Sequence, residues 1–245
     1  MTVGILYPGH AAERDYSLLN ELLDEPLFRV VHTSIGEDAH REYALLDMGS
    51  PERLRAGARE LRELGVAAAM WACTSGSFIY GWDGARRQVA ELEELLGAPV
   101  SSTSLAFVRA IRALGAERVA VAATYPEDIS RRFEQFLADA GLRSVRLSSG
   151  GIVTAAEVGR LGGAAVAELA GAGDHAEAEV LLVPDTAMHT IAVVPELEAT
   201  AGKPVLTANQ VTAWEGLRLA GREAVAAREA AAGRLGALFA GMPTG

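Results

Sequence analysis

Short apolar runs alternate with longer amphipathic stretches along the whole chain. Apolar runs bounded by Gly, Pro or small polar residues predict buried strands, and the amphipathic stretches between them predict covering helices. The strands expected on this basis are Val3 to Tyr7, Arg29 to Thr33, Ala67 to Ala72 and Pro99 to Ser101. Four more follow at Arg118 to Ala123, Ser144 to Leu147, Val180 to Pro184 and Pro204 to Thr207. Strand–helix alternation of this kind indicates an α/β fold with parallel sheets. Ser50-Pro51-Glu52-Arg53 opens one helix with an N-cap, a first-position proline and an acid in the first turn. That helix is predicted to reach Leu64. Others are predicted over Arg86 to Leu96, Leu105 to Leu114, Glu127 to Ala140 and Val211 to Leu219. The first four end at Gly65, Gly97, Gly115 and Gly141, residues suited to the left-handed C-terminal turn. The Ala-rich tail beyond Gly221 predicts a further helix.

The strand pattern repeats. Val3-Gly4-Ile5-Leu6-Tyr7-Pro8 reads like Val121-Ala122-Ala123-Thr124-Tyr125-Pro126, and Phe28-Arg29-Val30-Val31 like Leu142-Arg143-Ser144-Val145. Ala67 to Ser75 lines up with Glu179 to Ala187, and Gly97-Ala98-Pro99-Val100 with Gly202-Lys203-Pro204-Val205. The expectation is two similar parallel-sheet α/β domains related by a pseudo-twofold axis, with an active site in the cleft between them. Residues 1–100 would form the first half, with 211–245 packing back on it, and residues 101–210 the second. In this alignment Cys73 and Asp185 are equivalent.

Composition narrows the function. At 245 residues the chain is long enough to bury a sizeable core, and half of its residues are hydrophobic. A formal net charge of −10 argues against nucleic-acid or anionic-membrane partners, which call for basic patches. The N-terminus reads as a strand rather than a signal peptide, and no apolar stretch approaches the ~20 residues of a membrane span. The single cysteine excludes an internal disulfide and a multi-cysteine zinc site, and a free thiol fits a reducing cytoplasm.

Cys73 leaves a predicted strand and is followed by Thr74-Ser75-Gly76-Ser77. Loops at the carboxyl ends of parallel strands are where α/β folds bind ligands. The plain alternative is a small buried hydrophobe, but the run of hydroxyls is not needed for packing. Asp185-Thr186 is the partner position, where a helix cap is the plain alternative. Tyr7-Pro8-Gly9-His10 and Tyr125-Pro126 should flank the same cleft. A phenol can donate to a carboxylate or enolate oxygen. His10 and His189 are candidate proton carriers. The five histidines show no metal-ligand spacing, and there is no P-loop or dinucleotide fingerprint.

Trp71 to Phe78 with a following Gly81, the Gly97-to-Ser104 stretch, Leu114-Gly115, Tyr125, and Gly202 to Gln210 followed by Trp214 together resemble maleate cis-trans isomerase. Arylmalonate decarboxylase, of the same aspartate/glutamate racemase superfamily, shares most of these marks. The resemblance implies two α/β halves, catalysis without cofactors and a small dicarboxylate substrate. It implies that Cys73 is the nucleophile and that Thr74, Ser75 and Tyr125 hold a substrate carboxylate. Pro8, Gly9, His10, Thr186 and Asn209 would complete the binding site. The family's second catalytic cysteine would fall at Asp185, which this chain replaces. Its Ser-Ser-Asn run after the first-strand proline is here Gly9-His10-Ala11.

The leading expectation is therefore isomerisation of a maleate-like cis-unsaturated dicarboxylate through Cys73. The alternative is decarboxylation of an aryl- or alkylmalonate with Cys73 as proton donor, and a third reading is a non-catalytic carboxylate-binding protein. Racemisation ranks below the two enzymatic readings, because Cys facing Asp is an asymmetric acid–base pair. A homo-oligomer is compatible with the fold, but no interface is legible.

Overall fold

The computed structural model describes residues 1–225 and 233–242. The first half runs β1 (Val3–Pro8), α1 (Arg14–Leu22), β2 (Phe28–Thr33), α2 (Glu42–Met48), α3 (Pro51–Glu63), β3 (Ala68–Trp71), α4 (Ser75–Phe78), α5 (Gly81–Leu96) and β4 (Val100–Ser102). After α6 (Thr103–Ala113) the second half runs β5 (Arg118–Ala123), α7 (Glu127–Asp139), β6 (Arg143–Ser149), α8 (Ala155–Val158), α9 (Gly163–Gly173) and β7 (Val180–Val183). Then come a 3-10 turn (Ile191–Val193), α10 (Val194–Ala201), β8 (Val205–Thr207), α11 (Ala208–Leu219) and a final turn of helix, Ala237–Ala240.

Two four-stranded parallel sheets result, ordered β2-β1-β3-β4 and β6-β5-β7-β8. The strand order is identical in the two halves, as the repeat requires. One apolar cluster joins the facing layers of both halves, from Val3 and Met70 to Val121 and Leu182. Separate clusters pack the outer face of each sheet. Among the described residues no helix is long and apolar enough to cross a membrane.

Local chemistry accounts for the element ends. Ser50 caps α3, its hydroxyl accepting from the Arg53 N–H at 3.4 Å, and the helix buries Leu54, Ala58 and Leu61 as one stripe. Gly97 and Gly202 close α5 and α10 at φ 77° and 64°, a conformation that costs a glycine least. α11 begins three residues earlier than its apolar pattern indicates. Thr207 and Gln210 form a reciprocal capping box that starts the helix at Ala208.

The ladder registers correct half of the repeat alignment. Ile5 pairs with Met70, and Val121 with Leu182. Since Met70 and Leu182 are matched positions, Ile5 rather than Val3 corresponds to Val121. The β2–β6 match is displaced by two residues at Phe28, which falls opposite Ser144, and by three beyond it, because β6 carries a bulge after the Val119–Ser144 pair. The two-residue slip of β1 against β5 preserves which face each side chain points to, so alternation alone cannot reveal it. Tyr7 therefore lies within β1, whereas Tyr125 lies beyond β5, and the two are not equivalent.

α11 returns to the first sheet, against β1, β3 and β4, and runs beside α6. At Gly216 a side chain would collide with Val3 and Met70, which shows how closely α11 approaches that sheet. Of the expected tail helix, residues 226–232 and 243–245 lie outside the described residues. The described tail touches both halves rather than the first alone. Arg222 pairs with Glu25, while the Ala237 N–H donates to Glu198 at 3.0 Å.

Candidate active site

Cys73 stands two residues past β3, and Asp185 two residues past β7. Both strands are fully buried, so each chain emerges from the core at a fixed point and its first polar side chain meets the space between the sheets. Cys73 and Asp185 are each only 3% exposed. They line the same cavity, of about 60 Å³.

The turn around Cys73 is held tightly. Sγ accepts from the Gly76 N–H at 3.2 Å and lies 3.8 Å from Ser75 Oγ and 3.7 Å from Met48 Sδ. Trp71 Nε1 and Gln88 Nε2 both donate to the Gly76 carbonyl, at 3.3 and 3.0 Å. Any side chain at Gly76 would start 3.0 Å from Sγ and 3.1 Å from the Trp71 ring, so a larger residue would crowd the thiol and its donor. Burial pushes the Cys73 thiol up to about 12. The charge of Asp185 adds to the rise, while the Gly76 N–H and Ser75 hydroxyl oppose it.

Asp185 is held differently. Its Oδ1 accepts from the Ala187 N–H at 2.9 Å, and its Oδ2 accepts from the Thr124 hydroxyl. It caps its own loop, but it does so from the wall of the cavity.

Of the residues anticipated from sequence, Pro8, Gly9, His10, Cys73, Ser75, Asp185 and Thr186 line the cavity. Thr74, Tyr125 and Asn209 do not. Tyr125 is buried, with its hydroxyl donating to the Pro184 carbonyl and its ring edge-on to Phe78 and His40. Burial, then the nearby Asp185 and Cys73, push its phenol well above the ordinary range. Thr74 Oγ1 is buried with no hydrogen bond of ordinary geometry, although it lies near enough to Tyr125 to favour the phenolate slightly. Asn209 is a structural hub: its Nδ2 reaches Asp15 at 3.0 Å and the carbonyls of Thr186 and Met188 at 3.2 and 3.3 Å. Tyr7 donates to the Thr186 carbonyl at 2.8 Å, which ties β1 to the Asp185 loop and leaves no spare proton for a ligand. His189 is partly exposed and pairs with Asp15 at 3.5 Å, away from the cavity lining.

The cavity has a roof that sequence reading missed. Ile35, Asp38 and His40 come from the loop before α2, and Ala155 and Ala156 from α8 of the other half. Asp38 accepts from the Ala155 and Ala156 N–H groups at 2.8 and 3.1 Å. The ring of His40 bonds the Ile152 carbonyl at 2.9 Å. Leu45 and Met48 complete an apolar wall; on an amphipathic helix they read as ordinary core. The loop itself carries no periodic signal. Nor did spacing reveal that His10, Glu13 and His32 converge, with ligand atoms within 4.8 Å of one another.

A family model for arylmalonate decarboxylase matches residues 49–235. The arylmalonate decarboxylase of Bordetella bronchiseptica is 30% identical over 166 residues, 67% of this chain and 69% of that protein. A liganded double mutant of arylmalonate decarboxylase, with one glycine changed to cysteine and one cysteine to serine, has the same fold. Its TM-score is 0.80 at 26% identity, over 90% of this chain and 92% of that one. A maleate isomerase from Pseudomonas putida S16, solved with maleate, shares the fold at 18% identity and a TM-score of 0.85, over 100% and 99% of the two chains. With the sheet order, the inter-half cavity and a match running from α3 into the tail all in agreement, this chain belongs to the arylmalonate decarboxylase family of enzymes.

Proposed function

We propose that this enzyme decarboxylates a small substituted malonate, with Cys73 as the proton donor and without a cofactor. The observation that carries this reading is the placement of a buried Cys73 beside Asp185 on one cavity of a chain that matches the arylmalonate decarboxylase family. Desolvation and the neighbouring Asp185 hold Cys73 protonated through neutral pH. A protonated thiol suits an acid that quenches a carbanion, and it opposes a thiolate that must add to an alkene.

In the proposed reaction one substrate carboxylate is held by the Ser75 hydroxyl, with Thr74 and Tyr125 as its second layer. The other carboxylate lies against Leu45, Met48 and Ile35. There an anion is poorly solvated, and Asp185 repels it, whereas neutral carbon dioxide is unaffected. The C–C bond breaks, its electron pair passes into an enediolate on the retained carboxylate, and carbon dioxide leaves. Cys73 then delivers its proton to the α-carbon and recovers one from water. Hydroxyl donors to such an oxyanion contribute roughly 3–4 kcal/mol each. The cavity is smaller than the ~150 Å³ void that admits benzene, so a bulky substituent would have to displace part of the lining, and in this proposal the Asp38–His40 loop gives way.

A second reading, isomerisation of a maleate-like dicarboxylate, draws on the Gly76 N–H and Ser75 hydroxyl that converge on Sγ and would stabilise a thiolate. Proton NMR in deuterated water separates the two. Aryl- and alkylmalonates should give a monoacid with one α-deuterium. A fumarate-type product from maleate, with malonates untouched, would overturn the decarboxylase reading.

A further inference from the structure

We propose that His10, Glu13 and His32 form a binding site for a divalent transition-metal ion of the zinc class at the rim of the cavity. The three side chains come from three separate pieces of chain: the turn after β1, the residue before α1, and β2. One ligand atom from each lies within 4.8 Å of the others. Two imidazoles and one carboxylate make a ligand set that zinc accepts, leaving one coordination position open.

Backbone contacts hold two of the three ligands. His32 Nδ1 lies 2.6 Å from the Gly9 carbonyl oxygen. A carbonyl can only accept, so Nδ1 carries the proton and Nε2 is left with its lone pair. A backbone carbonyl behind one ring nitrogen, fixing the tautomer and aiming the other, is the usual support of a metal-bound histidine. Glu13 is anchored in the same way: Oε2 accepts from the Ala11 N–H at 2.9 Å while Oε1 faces His10 Nδ1 at 3.3 Å. The His10 and His32 rings sit with centroids 4.0 Å apart, tilted by 37°.

Bonds of 2.0–2.2 Å to a tetrahedral ion would bring the ligand atoms to about 3.4 Å from one another. His10 and Glu13 already stand 3.3 Å apart, so the contraction falls on the separations to His32, and the exposed His10 ring can follow it. A bound ion would pin the Gly9-His10 rim of the cavity to β2 and α1. The inference does not depend on which reaction the cavity performs.

The test uses the full chain without a purification tag, stripped by chelator and titrated with Co²⁺. Visible d–d absorption should saturate at one ion per chain and be displaced by Zn²⁺. His32→Ala and Glu13→Gln should each weaken Co²⁺ binding at least about tenfold. His189→Ala, which removes a different surface histidine–carboxylate pair, should leave it unchanged. His32 is exposed, so its removal should leave the fold intact, as circular dichroism would verify. Absence of saturable binding, or equal binding by His32→Ala and the parent chain, overturns the site.

Discussion

Cys73 and Asp185 hold the same place in two copies of one motif, each two residues beyond the third strand of its sheet, and they open onto one cavity. Their partners differ in kind. The thiol receives one backbone N–H, from Gly76, while the carboxylate receives a backbone N–H from Ala187 and a hydroxyl from Thr124. The matched positions thus set a thiol and a carboxyl group on one cavity, each held by its own set of donors.

Replacing the donor is the most direct test. Cys73→Ser should lower kcat by about 10²–10⁴-fold, the usual contribution of a positioned general acid. The melting temperature should barely change, because serine keeps the small buried volume. Steady-state rates and a thermal melt on one preparation check both halves of the expectation.

The raised thiol sets the pH dependence. A group whose folded pKa lies near 12 stays protonated across the neutral range. The decarboxylation rate should therefore be flat from about pH 6 to 9 as far as Cys73 governs it, and fall only at strongly alkaline pH. Alkylation by iodoacetamide should be slow at pH 7 and climb as pH rises. Asp185→Asn removes a charge that disfavours the thiolate, so the alkylation profile should shift to lower pH. An unmoved profile would mean that the carboxylate serves only its loop.

Pseudo-twofold placement predicts the stereochemistry. A proton delivered only from the Cys73 wall reaches one face of the planar enediolate, so an unsymmetrical malonate should give one enantiomer. Cys73→Ser combined with Asp185→Cys moves the thiol to the opposite wall. Any activity that remains should yield the mirror-image acid on chiral chromatography.

The roof can be loosened without touching the thiol. Asp38→Ala removes two hydrogen bonds to a charged acceptor, each worth about 1.5–3 kcal/mol. Cys73 alkylation should accelerate by about tenfold or more, and KM should change more than the rate of the chemical step. Competition between substrate and iodoacetamide would report both.

Much of this was readable in the chain. Buried strands declare themselves by continuous apolar runs, and Gly97-Ala98-Pro99-Val100 against Gly202-Lys203-Pro204-Val205 located the repeat. The β1–β5 match went astray by two residues because Tyr-Pro occurs twice for different reasons: Tyr7 ties β1 to the Asp185 loop, and Tyr125 braces the Pro184 carbonyl. The Thr207–Gln210 box was present as a motif and would have started α11 correctly. Asp38 and His40 left no trace, since a loop that docks on another half by capping its backbone needs no periodicity. Asn209 carried a family signature, and its amide nitrogen donates to Asp15 and to the carbonyls of Thr186 and Met188, partners that lie far away in sequence and that spacing could not reveal.

The return of α11 to the first sheet bears on how the gene can be divided. A fragment ending after β4 would carry an uncovered apolar face where Val3 and Met70 now meet Gly216. Expressed alone it should aggregate, and it should be rescued by supplying the remaining polypeptide in trans. On that expectation the two like halves are not interchangeable modules, because the first completes its core with a helix that the chain supplies only after the second.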